Sequence, residues 1–398
     1  MDSLCIKCKG KGYCGKPCKI LNKFMDSAPK PKLHFSGKSA PEIFVGRVGY
    51  PFVNSGILAP SDNDLISNFP TAEEWSKNNF SIENVLRLRG QLIYGRGQSH
   101  IKAESSLRQV TQELALSSSP VKTEIFLKKK PKIEINIDSV FSPMMNPAPI
   151  KKAILEENPK VHKKVDYLTS DYDVKTVDAI RELSSIISVD HLQKLLSAGL
   201  LGVKTSRKMV PTRWSITATD DTISKQLLEK IRYHPEVDEI TLFSGNFVGN
   251  YIEILLLPGK FSFEVLESWI SGNLYTEEKT VIAQDYENFF GRKTYAENVT
   301  GGYYAIRLPV TEYLEKIKKQ ATILVFREIR PEYYAPLGVG IVRECTRRAL
   351  SNQPKKFPTI DHALTDMQTR LQNSIQTIKD KSWILNNYGK QKSLKDWW

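Results

Sequence analysis

Apolar positions along the chain gather into short runs of two kinds. Some recur every three or four residues, and others alternate or run on without a break. The first ordered run, 43–51, reads as a short strand, Ile43-Phe44-Val45, followed by a turn containing Gly46, Gly49 and Pro51. Thr71 stands where a helix N-cap is expected, ahead of Ala72-Glu73-Glu74-Trp75. Residues 83–92 place Val85, Leu86, Leu88 and Leu92 as a short helix or strand, which Gly95-Arg96-Gly97 then breaks. Residues 107–116 predict a helix. Residues 124–127 and 133–137 predict two strands joined by the basic turn Lys128-Lys129-Lys130-Pro131-Lys132. Pro143, Pro147, Pro149 and Pro159 mark 141–165 as an internal boundary.

Beyond it, Asp173 is expected to cap a helix with Val174, Val177, Ile180, Leu183 and Ile187 inward. A second helix starts at Ser188 and stops at Gly199. So short a joint suggests a helix-turn-helix, but the second helix offers only His191, Gln193 and Lys194 as polar contacts. Two packed core helices fit better, with His191 as a cap rather than a ligand. Residues 205–221 read as a loop, with Thr219 or Asp220 capping a helix on Ile223, Leu227, Leu228 and Ile231. Strands are then expected at 240–243, 251–257, 303–308 and 322–329, and helices at 263–270, 312–319 and 338–350, the last holding Cys345 as a core thiol. A long helix from 360 to about 385 carries the stripe Ile360, Leu364, Met367, Leu371, Ile375 and Ile378.

The fold class expected is α+β: a mixed-sheet globular body with a small N-terminal four-cysteine module and a flexible C-terminal tail. The divisions are 1–25 for the module, 26–40 for a linker, 41–150 and 151–385 for the body, and 386–398 for the tail. The 398 residues can bury a large core, and 40% hydrophobic with 25% charged residues is ordinary for a globular protein. No apolar run approaches the ~20 residues of a membrane span, and the first residues lack a signal-type apolar stretch.

Charge changes the picture. The net charge is +13, and residues 1–40 hold +7 of it, nine lysines against Asp2 and Asp26. An anionic partner is expected, nucleic acid first and an acidic protein surface second. Within 205–221, Arg207, Lys208, Arg213 and Trp214 stand close together, suited to phosphate pairing and base stacking. The alternative there is an indole anchored in the core with solvated cations around it. Arg47, between two glycines, is a further candidate anion contact.

Four of the five cysteines crowd the first eighteen residues as Cys5-x2-Cys8-x5-Cys14-x3-Cys18. Four thiolates form a closed, soft ligand set suited to tetrahedral structural zinc, with no position open for catalysis. Metal binding would supply most of the folding energy of so small a module. At the other end stands Gln391-Lys392-Ser393-Leu394-Lys395-Asp396-Trp397-Trp398. One helical turn puts Leu394, Trp397 and Trp398 on one side, leaving Gln391 to dock by hydrogen bonds. This octapeptide resembles the PCNA-interacting peptide, and Asn386, Asn387 and Gly389 read as its tether. A tail that folds back onto its own domain is the alternative.

With the cysteine cluster at one end and the clamp box at the other, the chain resembles the archaeal Nre family of DNA repair proteins, NreA type. The stretches 46–51 and 210–217 also look like family signatures. The resemblance implies an intracellular archaeal protein, cytoplasmic and associated with the nucleoid, recruited by PCNA to damaged DNA. Cys5, Cys8, Cys14 and Cys18 would hold its zinc, and Gln391, Leu394, Trp397 and Trp398 would bind the clamp. Two functions stay open: a noncatalytic DNA-binding adaptor, or a metal-dependent nuclease using magnesium or manganese. For the nuclease, Asp62, Asp64, Asp171, Asp173, Asp220 and Asp221 are the available carboxylates, and no catalytic residue can be named.

Overall fold

The computed structural model describes residues 15, 28, 32–39, 42–60, 70–136, 140–272 and 280–390. The four clustered cysteines, Asp62, Asp64 and the octapeptide 391–398 lie outside the described residues. The described chain is α+β, with two mixed six-stranded sheets. It divides into two compact units. One holds the described residues up to Ile223 together with Ala335–Gly338. The other holds Ser224–Tyr334 and the described residues from Val339 onward.

In the first unit the strands are β1 (His34–Ser39), β2 (Ile43–Val45), β3 (Phe52–Pro60), β4 (Leu92–His100), β5 (Val121–Leu127), β6 (Ile135–Asn136), β7 (Met144–Met145) and β8 (Pro147–Leu155). The helices are α1 (Ala72–Lys77), α2 (Ile82–Gly90), α3 (Ser106–Leu116), α4 (Lys163–Ser170), α5 (Thr176–Leu183) and α6 (Val189–Ser197). Helix α7 (Thr212–Ile231) starts in this unit and ends in the next. The sheet runs β1-β5-β8-β4-β3-β2, antiparallel except where β8 meets β4. Phe35, Ile57, Ile93, Ile125 and Ile150 on the sheet and Leu114 of α3 share one buried cluster. The expected Thr71 cap is present as a full capping box with Glu74, and Ser188 caps α6.

Several expectations are corrected here. Gly95 and Gly97 do not end an element; they lie inside β4, because neighbouring groups come too close for a side chain. A Cβ on Gly95 would stand 3.2 Å from Ile150 Cδ1, and one on Gly97 2.9 Å from Leu107. Strand β5 does not form a hairpin across the lysine turn: it pairs with β1 and β8, while β6 pairs with β7. The proline-rich 141–165 is not a boundary, since it supplies β8 to the middle of the first sheet. Asp173 does not cap α5, whose N-cap is Lys175 without a side-chain bond.

The second unit contains β9 (Ile240–Phe247), β10 (Asn250–Leu257), β11 (Ser262–Trp269), β12 (Val281–Glu287), β13 (Thr322–Ile329) and β14 (Lys355–Phe357). Its helices are α8 (Gly301–Ile317), α9 (Val339–Ser351), α10 (Ile360–Gln368), α11 (Ile375–Lys381) and α12 (Trp383–Asn387). The sheet order is β12-β11-β13-β10-β9-β14, with β11 and β13 parallel. Both faces are covered. Leu242, Leu255, Leu324 and Phe326 pack with α10, α11 and α12, while Phe243 turns its ring onto Tyr313 of α8. All eight residues of β13 are buried. Gly245 lets α9 approach, since a Cβ there would lie 2.8 Å from Ala349.

Here too the sequence misled. Residues 263–270 are strand β11 and not a helix, because Glu264 and Glu267, which look solvent-facing, are buried against polar partners. Glu264 accepts from Ser382 Oγ at 2.6 Å and from the Trp383 and Ile384 amides at 2.7 and 2.9 Å. Residues 303–308 belong to α8, a helix buried almost all round that tolerates Pro309 inside it. The long helix from 360 is three helices. It breaks where Glu328 reaches across and accepts from the Gln372 amide and the Asn373 amide, each at 2.9 Å. The tether is shorter than expected, since Asn386 and Asn387 belong to α12 and Tyr388 hydrogen-bonds Pro258 O at 2.7 Å.

Candidate nucleic-acid interface

Strand β2 ends at Val45, and the chain then turns through Arg47 and Gly49 before β3 begins at Phe52. Gly49 makes the turn possible. Its φ is +81°, and a Cβ would stand 2.8 Å from Phe52 O. The Phe52 amide donates to Gly49 O at 2.9 Å and closes the turn. The result lifts apolar groups into solvent: Val48 is 83% exposed, Phe52 56% and Tyr50 38%.

Helix α7 completes the surface. Thr212, its first residue, accepts from the Val45 amide at 2.9 Å. Its hydroxyl lies 3.1 Å from Ser197 Oγ, which itself donates to Val210 O, so the Thr212 hydroxyl donates to Ser197. The Ile101 amide donates to Pro51 O and the Met209 amide to Ile101 O, both at 3.0 Å. Beneath these bonds Val45, Val53, Ile101 and Met209 form one buried cluster. The stitching carries Trp214, in the first turn of α7, to Tyr50, with ring centroids 5.1 Å apart and planes at 57°. Trp214 remains 44% exposed. Phe52 packs edge-on to His100 at 5.2 Å.

Two stretches singled out from sequence, around Arg47 and around Trp214, thus meet on one surface. Arg47 is exposed on the turn, Lys208 is exposed beside Met209, and Arg213 is half-buried next to Trp214. Arg207 is placed differently. Its guanidinium donates to the carbonyls of Gly202, Thr169 and Asp171, each at 2.6 Å, and lies 4.4 Å from the Tyr172 ring centre. It braces the chain between α4 and α7. Tyr50 and Phe52 were not anticipated from sequence, although apolar residues in a glycine-proline turn, out of step with any strand, were the available signal.

The segment 205–221 is not one loop. It is helical from Thr212, with Asp220 buried at mid-helix and accepting from Gln193 at 3.2 Å. Because Gln193 and His191 are buried, α6 is a core helix and no recognition helix. His191 is not a cap: its buried ring bonds Ala115 O at 2.9 Å, and Ser188 caps α6. Asp171 accepts from the Asp173 amide at 2.9 Å in an exposed turn, whereas Asp220 is buried. Among the described residues, no three His, Cys, Asp or Glu side chains converge to hold a metal ion. Lys128, Lys129 and Lys130 are exposed where β5 ends.

The second unit concentrates buried charge. Arg307 and Glu287, each 1% exposed, pair at 3.0 Å. Arg327 binds Glu267 at 2.5 Å and Asn250 Oδ1 at 2.5 and 3.1 Å. Cys345 is a buried core thiol, as expected, with burial pushing its pKa up to about 12. Among the described residues, no helix is long and apolar enough to cross a membrane.

The archaeal Nre N-terminal family model matches residues 13–276, and the archaeal Nre C-terminal model matches 287–397. The chain is 34% identical over 392 residues to the DNA repair protein NreB of Archaeoglobus fulgidus, covering 98% of both chains. It is 36% identical over 376 residues to NreA of the same organism, covering 93% of this chain and 94% of that one. It is 33% identical over 357 residues to the DNA repair protein NreA of Haloferax volcanii, covering 87% and 85%. No solved structure matches. With both family models spanning it and relatives alike from end to end, this chain belongs to the archaeal Nre family.

Proposed function

We propose that this protein serves DNA repair as a DNA-binding adaptor recruited by PCNA. Its relatives are named DNA repair proteins, which supports the repair role. The observation that carries DNA binding is the meeting of the Arg47–Phe52 turn with the start of α7, which sets Tyr50 against Trp214, with Arg47 and Lys208 exposed on the segments that carry them. Cations there would neutralise phosphate while the rings offer stacking faces. Residues 391–398, with Gln391, Leu394, Trp397 and Trp398 in the clamp-box positions, would dock on PCNA. Burying the three apolar anchors offers roughly 2–3 kcal/mol each. Ordering the peptide costs about 2–5 kcal/mol of that. Affinity on the order of micromolar follows.

Cys5, Cys8, Cys14 and Cys18 would hold a structural zinc ion, a role their four thiolates suit and which leaves no coordination position for chemistry. The adaptor is preferred to the nuclease because the Tyr50–Trp214 surface offers rings and cations suited to binding. The test is binding of a labelled oligonucleotide at rising salt, with and without PCNA. Affinity should fall steeply with salt as counterions are released, and removal of 391–398 should abolish the clamp complex. Salt-independent or absent DNA binding overturns the reading, as does metal-dependent cleavage.

A further inference from the structure

We infer that the Tyr50–Trp214 surface takes single-stranded DNA, by stacking bases on its rings, in preference to duplex. This rests on the DNA-binding reading above and names its substrate. The surface is built rather than incidental. Tyr50 and Trp214 sit on backbone segments fastened together by the bonds from Val45 to Thr212, Ile101 to Pro51 and Met209 to Ile101. Rings on so fixed a base are pre-organised to receive a planar ligand.

The chemistry selects the strand state. In a duplex both faces of every interior base are already stacked, and a protein meets phosphates, sugars and groove edges. The exposed side chains of Val48, Tyr50, Phe52 and Trp214 match phosphates and sugars poorly, because their apolar area would lie against charged backbone. A single strand exposes base faces, and any base can stack on an indole or phenol, so recognition tolerates sequence. The Tyr50 and Trp214 planes meet at 57°, which leaves no parallel slot between them. The base therefore packs on the outer ring faces. The anionic strand is matched by exposed Arg47 and Lys208 on the two segments that carry the rings, and the first turn of α7 holds no acidic residue. A neutral apolar partner would have no use for that charge.

The test measures full-length protein against a fluorescein-labelled dT 20-mer and a duplex of equal length at fixed salt, by anisotropy and by quenching of tryptophan fluorescence. The single strand is expected to bind at least tenfold tighter. Trp214→Ala should weaken it by roughly tenfold or more without changing the salt slope, consistent with base–aromatic stacking. Trp214→Phe should restore most of the affinity, and Phe52→Ala, on a separate exposed side chain, should weaken it in the same direction. Arg47→Ala should instead lower the salt slope by about one. Equal binding of duplex and single strand, with Trp214→Ala affecting neither, overturns the inference and leaves the DNA-binding reading standing. Binding of neither DNA overturns both.

Discussion

The Val45 amide and the Thr212 hydroxyl, 167 positions apart, are joined by a 2.9 Å hydrogen bond. The bond fastens the end of β2 to the first turn of α7, the helix turn that carries Trp214 to Tyr50. Thr212→Val keeps the shape but removes the acceptor, leaving the amide of buried Val45 without this partner. We expect a loss of about 1–3 kcal/mol in stability. Thr212→Ser should retain most of it, and urea unfolding of the three proteins measures the difference.

Glu287 and Arg307 form an ion pair almost wholly removed from water. Truncating Glu287 removes the carboxylate that faces the buried Arg307 guanidinium. Glu287→Ala should therefore destabilise by about 3–5 kcal/mol, whereas replacing both residues with apolar ones of similar volume should cost much less. Chemical denaturation of the single and double variants separates the two cases. Equal losses would mean that Arg307 is satisfied without Glu287.

His191 carries a pH signature. Burial, and next the nearby Lys194 charge, push its pKa down to about 4, against the hydrogen bond its ring makes to Ala115 O. The folded imidazole thus stays neutral at pH values where the unfolded one, near 6.5, gains a proton. The unfolded state binds more protons between these values, so stability falls as pH drops from about 6.5 toward 4. His191→Gln should flatten that portion of a stability-versus-pH curve. An unchanged curve would place the titration elsewhere.

The cysteine cluster makes a stoichiometric prediction. Elemental analysis of purified protein should find about one zinc per chain, the complement of one four-thiolate site. The variant carrying Cys5→Ser with Cys8→Ser should hold none. Zinc retained by that variant would mean that other ligands bind it.

Comparing these features with the bare chain shows where local pattern suffices. The caps at Thr71 and Ser188, the β9–β10 hairpin and β13 follow from neighbours in sequence, and each was legible. Helix α7 was legible only in its second half, because its first half buries Ser215, Thr219 and Asp220 beside Ile216. With hydroxyls and a carboxylate facing inward, no apolar period marks that half. Strand β11 failed for the converse reason: Glu264 and Glu267 look like a solvated face until Ser382, the α12 amides and Arg327 are seen to satisfy them.

By itself the sequence determined the α+β class, the positive charge, the thiolate spacing at one end and the clamp-like octapeptide at the other. These are composition and short-range spacing, which need no partner far along the chain. Only the tertiary structure decided that Arg207 turns inward to three carbonyls while Trp214 comes to rest on Tyr50. Whether a cation or an indole faces water depends on which distant backbone groups are left for it to bond, and that is settled by packing alone.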